Sequence, residues 1–248
     1  MKTLALFAAA VLTASTSLAS EEIVTFKSGA ENVSAFLARP DGPGPFPAVI
    51  VLHEWWGLDA WMKDQARALA REGYAALAVD LYRGKVTARQ EEAHQLMMGT
   101  PMDRQLRDMK AAFGYLSGRK DVVKAKIAAL GFCMGGRNAF TLAIEEPTLA
   151  AAVVYYGALP TDPSAIARIK APMLGNFGGD DEGPSPAQAK EFEAAARKVG
   201  KTFDLKVYSG APHAFANPNN PWKGYRKDAA NDAWIRTTGF LRHFLIVR

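Results

Sequence analysis

At residues 129–136 the sequence reads Ala-Leu-Gly-Phe-Cys-Met-Gly-Gly, with Cys133 two positions from Gly131 and two from Gly135. This is the spacing of a nucleophile elbow with cysteine in place of serine, in which a buried strand turns sharply into a helix. The turn crowds the backbone, so the residues two before and two after the nucleophile must be very small. It also presents the sulfur at a helix N-terminus, where N–H groups and the positive dipole end stabilise a thiolate. Cys133 is therefore the candidate nucleophile, and the alternative is a buried cysteine that acts as a small hydrophobic residue.

Strand-like and helix-like segments alternate on both sides of the elbow. Residues 48–52 form a continuous apolar run, which is typical of a strand buried on both faces. The alternation predicts an α/β fold with a mostly parallel central sheet and helices on both faces. The predicted strands are residues 23–26 and 33–37, which form a hairpin, followed by 48–52, 74–79, 127–132, 150–156, 173–177 and 203–208. The predicted helices are 59–72 with Asp59 as N-cap, 87–98, 102–117, 137–144, 185–199 and 227–244. We expect the helices at 87–98 and 102–117 to cover one edge of the sheet.

The composition of the 248 residues excludes several classes of protein. With 49% hydrophobic and 22% charged residues the chain is close to the globular average, which argues against a disordered, collagenous or coiled-coil protein. A single cysteine excludes an intrachain disulfide framework and an all-cysteine zinc site. The net charge of +5 comes from basic residues interspersed with acidic ones, so nucleic acid is not an expected partner.

The first 19 residues have the three parts of a secretory signal peptide. Lys2 precedes an apolar stretch at residues 4–12, which is too short to span a bilayer, and Ser17 and Ala19 fit positions minus three and minus one of a cleavage site. We expect cleavage after Ala19, a protein that is secreted or periplasmic, and no stable membrane association. Residues 20–248 are then expected to form one domain.

His213 is the candidate general base. In folds with this elbow the acid follows the nucleophile in the chain and the histidine comes last. His213 lies in a loop directly after the strand predicted at 203–208, and hence at the carboxyl end of the sheet. The other three histidines, His53, His94 and His243, are expected to have structural or surface roles.

The acid that orients this histidine should follow the preceding strand. Residues 178–184 contain three adjacent carboxylates there, Asp180, Asp181 and Glu182. Spacing alone does not choose among them. Aspartate three residues after glycine is the commoner arrangement in such folds, so Asp181 is favoured over Asp180.

The loop His-Glu-Trp-Trp-Gly at 53–57 follows the third predicted strand, where the second oxyanion-hole donor usually originates. The donors would be the backbone N–H groups of Trp55 and Met134. Glu54 is unusual in this place because a carboxylate would repel the developing negative charge unless it were paired with a cation or had a protonation role. Its alternative is an ordinary surface residue.

Six motifs together resemble the dienelactone hydrolase family, a carboxymethylenebutenolidase-like group in the α/β-hydrolase superfamily. They are His-Glu-Trp-Trp-Gly at 53–57, Val-Asp-Leu-Tyr at 79–82, Gly-Phe-Cys-Met-Gly-Gly at 131–136, Ala-Val-Val-Tyr-Tyr-Gly at 152–157, Gly-Gly-Asp-Asp at 178–181 and Gly-Ala-Pro-His-Ala-Phe at 210–215. The resemblance runs from about residue 23 to 245 and implies one α/β-hydrolase domain that cleaves an ester or lactone through an acyl-thioester. It also implies that Glu54 contacts the resting thiol and takes part in forming the thiolate.

The resemblance further implies how a substrate would be held. Family members that cleave dienelactones bind the substrate carboxylate with two arginines. Arg83 stands one position earlier than the first would, and Asn217 occupies the place of the second. Arg83 and Trp56 are the candidate substrate-binding residues, and the tryptophan pair Trp55 and Trp56 indicates an apolar or flat substrate.

The expected mechanism is attack by Cys133 on the carbonyl carbon, followed by deacylation by a water that His213 activates. It needs no metal and no organic cofactor, and no glycine-rich dinucleotide motif follows the first buried strand. Two other functions stay open. One is a carboxylesterase or thioesterase of wider range, and the other is a non-catalytic secreted binding protein on the same fold.

Overall fold

The computed structural model describes residues 20–201 and 203–247, so the predicted signal peptide at 1–19 lies outside the described residues. All eight strands belong to one sheet with the order β1-β2-β4-β3-β5-β6-β7-β8. They are β1 (Ser20–Ser28), β2 (Glu31–Arg39), β3 (Phe46–Leu52), β4 (Ala75–Val79), β5 (Val122–Phe132), β6 (Ala151–Tyr155), β7 (Met173–Gly178) and β8 (Asp204–Tyr208). Strand β2 pairs antiparallel with β1 and β4, and every other pair is parallel. The prediction of a mostly parallel sheet that begins with a hairpin is confirmed.

Helices pack on both faces of this sheet, as predicted. They are α1 (Ala60–Arg71), α2 (Gln90–Met98), α3 (Met102–Ser117), α4 (Met134–Glu145), α5 (Pro163–Arg168), α6 (Pro186–Lys198) and α7 (Lys227–Arg242), followed by a π-helical turn at His243–Val247. Apolar side chains of α1 and α7 share one core with one face of the sheet, and those of α3, α4 and α6 share the core on the other. In the described ranges, 20–201 and 203–247, no helix is both long and apolar enough to cross a membrane.

The local sequence explains where these elements begin. Residues 48–52 of β3 are completely buried, which is why they are apolar without interruption. Asp59 caps α1 by accepting a hydrogen bond from the Met62 N–H at 2.9 Å. Ser185 and Gln188 form a reciprocal capping box at the start of α6.

Three elements differ from the prediction. Strand β5 begins at Val122, five residues before the predicted start at 127. The prediction placed the start too late because Lys124 and Lys126 interrupt the apolar run. Helix α5 was not predicted, since six residues are too few to show a helical period. Helix α3 does not cover an edge of the sheet; Met109 and Phe113 pack into the core on one face.

The topology brings six loops to one end of the molecule. Strands β4, β3, β5, β6, β7 and β8 are parallel neighbours, so their carboxyl ends lie along the same edge. Each of the catalytic candidates from the sequence follows one of these strands. Ligand sites of open α/β sheets form at this edge.

Candidate active site

The elbow has the backbone that its spacing predicts. Cys133 lies between β5 and α4 with φ 54° and ψ −115°, a strained conformation for a residue with a side chain. Its N–H donates to the Tyr155 carbonyl at 3.0 Å, which holds the turn against β6. A Cβ atom on Gly131 would overlap the carbonyl of Gly135, and one on Gly135 would overlap the carbonyl of Leu52. Both glycines are therefore required by close backbone packing.

The structure brings Asp181, and not Asp180, to His213. His213 Nδ1 lies 2.8 Å from Asp181 Oδ2, and the Asp181 side chain is only 2% exposed. Asp181 Oδ1 also accepts the Gly183 N–H at 2.9 Å, which fixes the carboxylate plane. Asp180 and Glu182 are exposed. The choice that spacing left open is thus decided by which side chain points inward.

Two opposing influences act on the His213 ring. Burial works to lower the pKa of His213, but hydrogen bonds with Asp181 and Cys133 outweigh it and raise the pKa to about 10. These two hydrogen bonds therefore favour the protonated form of the ring. A positive ring beside Cys133 stabilises negative charge on the sulfur.

Glu54 is a buried carboxyl group, only 2% exposed, which excludes the surface alternative. Its Oε2 accepts a hydrogen bond from Asn217 Nδ2 at 2.7 Å, and the Tyr156 hydroxyl also lies within reach of the carboxyl group. Burial raises the pKa of Glu54 from 4.5 to about 7, against the opposing effect of Asn217. The resemblance implies a contact between Glu54 and the resting thiol; the hydrogen bonds here instead join Glu54 to Asn217 and Cys133 to His213.

His53 holds the loop that carries Glu54 and Trp55. Its Nε2 accepts the Leu81 N–H at 3.2 Å, so Nδ1 carries the proton and donates to the Glu54 carbonyl at 2.5 Å. Burial lowers the pKa of His53, which keeps the ring neutral. His53 is thus a structural residue, as expected.

The other two histidines lie away from the elbow. His94 is exposed on α2, and His243 is exposed at the end of α7. The expectation of structural or surface roles for both agrees with these positions.

The structure does not bring Arg83 to the site. Its guanidinium is held by Asp108, with Nη1 2.8 Å from Oδ2, and by Glu31, with Nη2 3.2 Å from Oε2. Both carboxylates engage this cation, and Arg83 does not line the cavity beside Cys133; that it binds a substrate anion stays a prediction. Asn217 is buried and bonded to Glu54.

Trp56 does not line the cavity beside Cys133. It is 3% exposed and packs edge-on against Trp55 and Trp222, at ring-centroid distances of 5.0 and 5.6 Å. Its side chain packs against other aromatic rings, and the expectation that Trp56 binds substrate stays a prediction. Trp222, which sequence reasoning did not select, lies over His213 with the ring centroids 6.0 Å apart.

The cavity at the nucleophile has a volume of about 160 Å³. It is lined by Cys133, His213, Trp55, Met97, Met134, Arg137, Tyr156, Ala158 and Gly183. Met134 is the first residue of α4, so its N–H is one of the donors that an α-helix leaves unpaired. Tyr156 is completely buried with φ 37°, and its hydroxyl lies within reach of the Glu54 carboxyl group, whose pKa it works to lower.

Arg137 is the cation of this cavity, and sequence reasoning missed it. Its Nη2 donates to Gln105 Oε1 at 3.4 Å, and its buried Nε has no partner in the described ranges. The available signal was its position in the first turn of the helix that follows Cys133. The site therefore holds a half-buried positive charge close to the thiol.

A metal site is not formed by the residues that the structure describes. In that part of the chain, no three His, Cys, Asp or Glu side chains are grouped so that they could hold a metal ion.

Comparison with known proteins gives consistent matches along most of the chain. Residues 33–245 match the dienelactone hydrolase family. A Saccharolobus solfataricus protein that carries the name carboxymethylenebutenolidase is 36% identical over 261 residues, covering 90% of this chain and 98% of the relative. A Methylorubrum extorquens protein of the same name is 35% identical over 226 residues, covering 86% of this chain and 77% of the relative.

Solved structures agree with the sequence matches. A Klebsiella pneumoniae protein named as a dienelactone hydrolase superposes with a TM-score of 0.84 at 28% identity, over 92% of this chain and 100% of that one. A dienelactone hydrolase-like promiscuous phosphotriesterase from metagenomic libraries has a TM-score of 0.84 at 26% identity, over 91% and 98% of the two chains.

Proposed function

Because the chain belongs to the dienelactone hydrolase family, we propose that it cleaves its substrate through an acyl-thioester on Cys133. The family makes it a hydrolase that acts on ester or lactone bonds of small molecules. The covalent mechanism is supported by the arrangement of three residues. His213 lies beside the strained elbow cysteine, Cys133, and its Nδ1 is 2.8 Å from Asp181 Oδ2.

Acylation begins with the thiol proton on His213 and negative charge on the sulfur. Cys133 Sγ attacks the carbonyl carbon, and the oxyanion accepts hydrogen bonds from the backbone N–H groups of Trp55 and Met134. Collapse of this intermediate breaks the bond between carbon and the leaving oxygen. His213 gives its proton to that oxygen, which departs as an alcohol or enol and leaves an acyl-thioester.

Deacylation uses the same groups in the reverse protonation state. Neutral His213, oriented by Asp181, accepts a proton from water as the water attacks the thioester carbonyl. The carbon–sulfur bond then breaks, and the acid is released. The thiolate and the imidazolium are restored together.

Glu54 is proposed to govern formation of the thiolate. A group whose pKa is about 7 gains or loses a proton easily near neutral pH, which suits a general acid or base. Its protonated form also places no negative charge beside the oxyanion hole. Asn217 supports this role by keeping the carboxyl group in one orientation.

The test of this function uses p-nitrophenyl acetate as substrate and iodoacetamide as inhibitor. Cys133 is the single cysteine of the chain, so alkylation of a thiol is confined to it. We expect hydrolysis by the parent protein, loss of hydrolysis after alkylation, and no hydrolysis by Cys133→Ala with an unchanged melting temperature. Full activity in the alanine variant would contradict the covalent route, and an inactive parent would favour the non-catalytic binding protein.

A substrate panel separates the lactonase from an esterase of wider range. Lactones and open-chain esters, each with and without a carboxylate, are compared by kcat/KM. Preference for lactones supports a dienelactone hydrolase-like activity, whereas equal rates over many esters and thioesters support the wider enzyme.

A further inference from the structure

A second and larger cavity opens beside the nucleophile. Its volume is about 480 Å³, within the roughly 300–1,000 Å³ range of small-molecule sites. Ala158 and Gly183 line both this cavity and the one that contains Cys133, so the two cavities adjoin. The remaining lining residues are Leu159, Pro160, Thr161, Pro184, Gln188, Glu191, Phe192 and Ala195. This side pocket is built by the segment after β6, the loop before α6, and α6 itself.

The chemistry of the side pocket favours an uncharged, apolar occupant. Phe192 is buried and stacks on Phe203, with the ring centroids 5.2 Å apart, which makes a firm aromatic wall. Leu159 and Pro184 add aliphatic surface. No lysine or arginine is among its lining residues, and the single charged one is Glu191, which would repel a substrate carboxylate.

The cavity at Cys133 is too small to enclose more than the reacting part of a substrate. Its volume is about 160 Å³, and its lining includes the proposed nucleophile Cys133 and the proposed base His213. A substrate with a larger group attached to the ester must place that group elsewhere. Two larger cavities adjoin the one at Cys133: the side pocket, and one of about 460 Å³ that shares Trp55 with it and is otherwise lined by the polar side chains of Gln90, Glu91 and His94. The side pocket is the more apolar of the two and is the better place for such a group.

We propose that the side pocket binds an apolar medium-chain or aryl group attached to the scissile bond. This rests on the proposed ester or lactone hydrolysis and names a substrate class for it. The group sits either on the acyl side or on the alcohol side of the bond. Burial of each additional methylene then raises kcat/KM by up to about fourfold until the pocket is filled.

The experiment fills the pocket and compares substrates of different length. The substitution Ala195→Trp adds a large ring to its wall, and Ala194→Trp makes the same change on the exposed side of α6. For each protein the ratio of kcat/KM for p-nitrophenyl hexanoate to that for p-nitrophenyl acetate tests the acyl side. The ratio for octyl acetate to ethyl acetate tests the alcohol side.

We expect a parent ratio well above one in at least one of the two series. Ala195→Trp lowers that ratio roughly tenfold, and Ala194→Trp leaves it at the parent value. If the parent hydrolyses p-nitrophenyl acetate but both kcat/KM ratios are the same in Ala195→Trp as in the parent, the proposed role of the side pocket is contradicted and the proposed function is not. A parent that hydrolyses none of these esters overturns both.

A charged analogue tests the apolar character separately. The mono-p-nitrophenyl ester of adipic acid has the acyl length of the hexanoate but ends in a carboxylate. We expect its kcat/KM to be roughly tenfold below that of the hexanoate, and the difference to shrink in Glu191→Gln. Equal rates for the two esters in the parent would contradict an uncharged occupant.

Discussion

Asp180 and Asp181 are neighbours in the sequence, but one is exposed and the other bonds His213. Asp181→Asn is expected to lower kcat roughly 10²-fold or more, because an amide at this place favours the wrong tautomer of His213 and does not stabilise its cation. Asp180→Asn is the matched control and should stay within about twofold of the parent. The measurement is kcat on p-nitrophenyl acetate, and equal losses in the two variants would show that the acid is misassigned.

Glu54 carries a testable effect on stability. Its pKa is 4.5 in the unfolded chain and about 7 in the folded protein, where burial raises it. Between these values the folded state holds a proton that the unfolded state has released, so stability falls as the pH rises from 4.5 to 7. The total loss is about 3 kcal/mol. Glu54→Gln cannot titrate and avoids this loss.

Urea unfolding of the parent and Glu54→Gln at several pH values measures that effect. The variant should gain stability relative to the parent by about 3 kcal/mol between pH 4.5 and pH 8. A difference that does not change with pH would show that the carboxyl group is not desolvated.

The same substitution tests the catalytic role of Glu54. Glu54→Gln is expected to slow single-turnover acylation by roughly 10²-fold, because an amide cannot titrate and so cannot adjust the charge near His213 as the thiolate forms. The pH profile of acylation should also lose the step near pH 7 that the parent's pKa implies. Coinciding rates and profiles would leave Glu54 as a buried loop residue with no part in activation.

The role of a single residue could be predicted from the sequence where one short motif contains all the information needed. Cys133 and His213 each follow a strand within a motif that can be seen locally. The partners of Arg83 and Glu54 could not be predicted in this way. Asp108 is 25 residues from Arg83, and Asn217 is 163 residues from Glu54, so only the fold decides that they meet.

At the scale of the element, the elbow depends on backbone contacts that leave no room for a side chain. Gly135→Ala places a Cβ against the carbonyls of Leu52 and His53, and is expected to cost at least about 3 kcal/mol of stability. Gly114→Ala is the control: this exposed glycine in α3 has nothing within 4 Å of an added Cβ, and alanine there should stabilise by about 0.5–1 kcal/mol. Urea unfolding measures both, and equal effects would contradict the packing argument.

Elements with a strong period or an unbroken apolar run were predictable, and their ends less so. The β3 run at 48–52 and the capped start of α1 are seen directly in the sequence. The beginning of β5 was not predicted because Lys124 and Lys126 interrupt the apolar pattern there. Helix α5 was not predicted because it has only six residues. The local sequence pattern predicted that α3 is a helix. It did not predict that α3 packs on a face of the sheet, because this position depends on contacts with strands distant in the chain.

For the whole molecule, the order of the strands is the feature that sequence patterns did not specify. The order places β5 at the centre of the sheet, between β3 and β6. This position brings the loop after β3 and the loop after β8 to the two sides of Cys133. Pairing between strands far apart in the chain sets that arrangement, and no local signal records it.

Export remains a prediction at this scale. Residues 1–19 have the pattern of a signal peptide, so the mature protein is expected to begin at Ser20 and to be found in the periplasm or the medium. N-terminal sequencing of the protein from fractionated cells is the check. An active cytoplasmic protein that retains Met1 would contradict it.

The central claim is a covalent acyl-enzyme on Cys133, and intact-mass spectrometry of acid-quenched turnover tests it most directly. During hydrolysis of p-nitrophenyl acetate, the parent should gain the mass of one acetyl group, and peptide mapping should place it on Cys133. Cys133→Ala is the control and should gain no acetyl group, because it lacks the nucleophile. Hydrolysis by the parent with no adduct, or an adduct on another residue, would contradict the account.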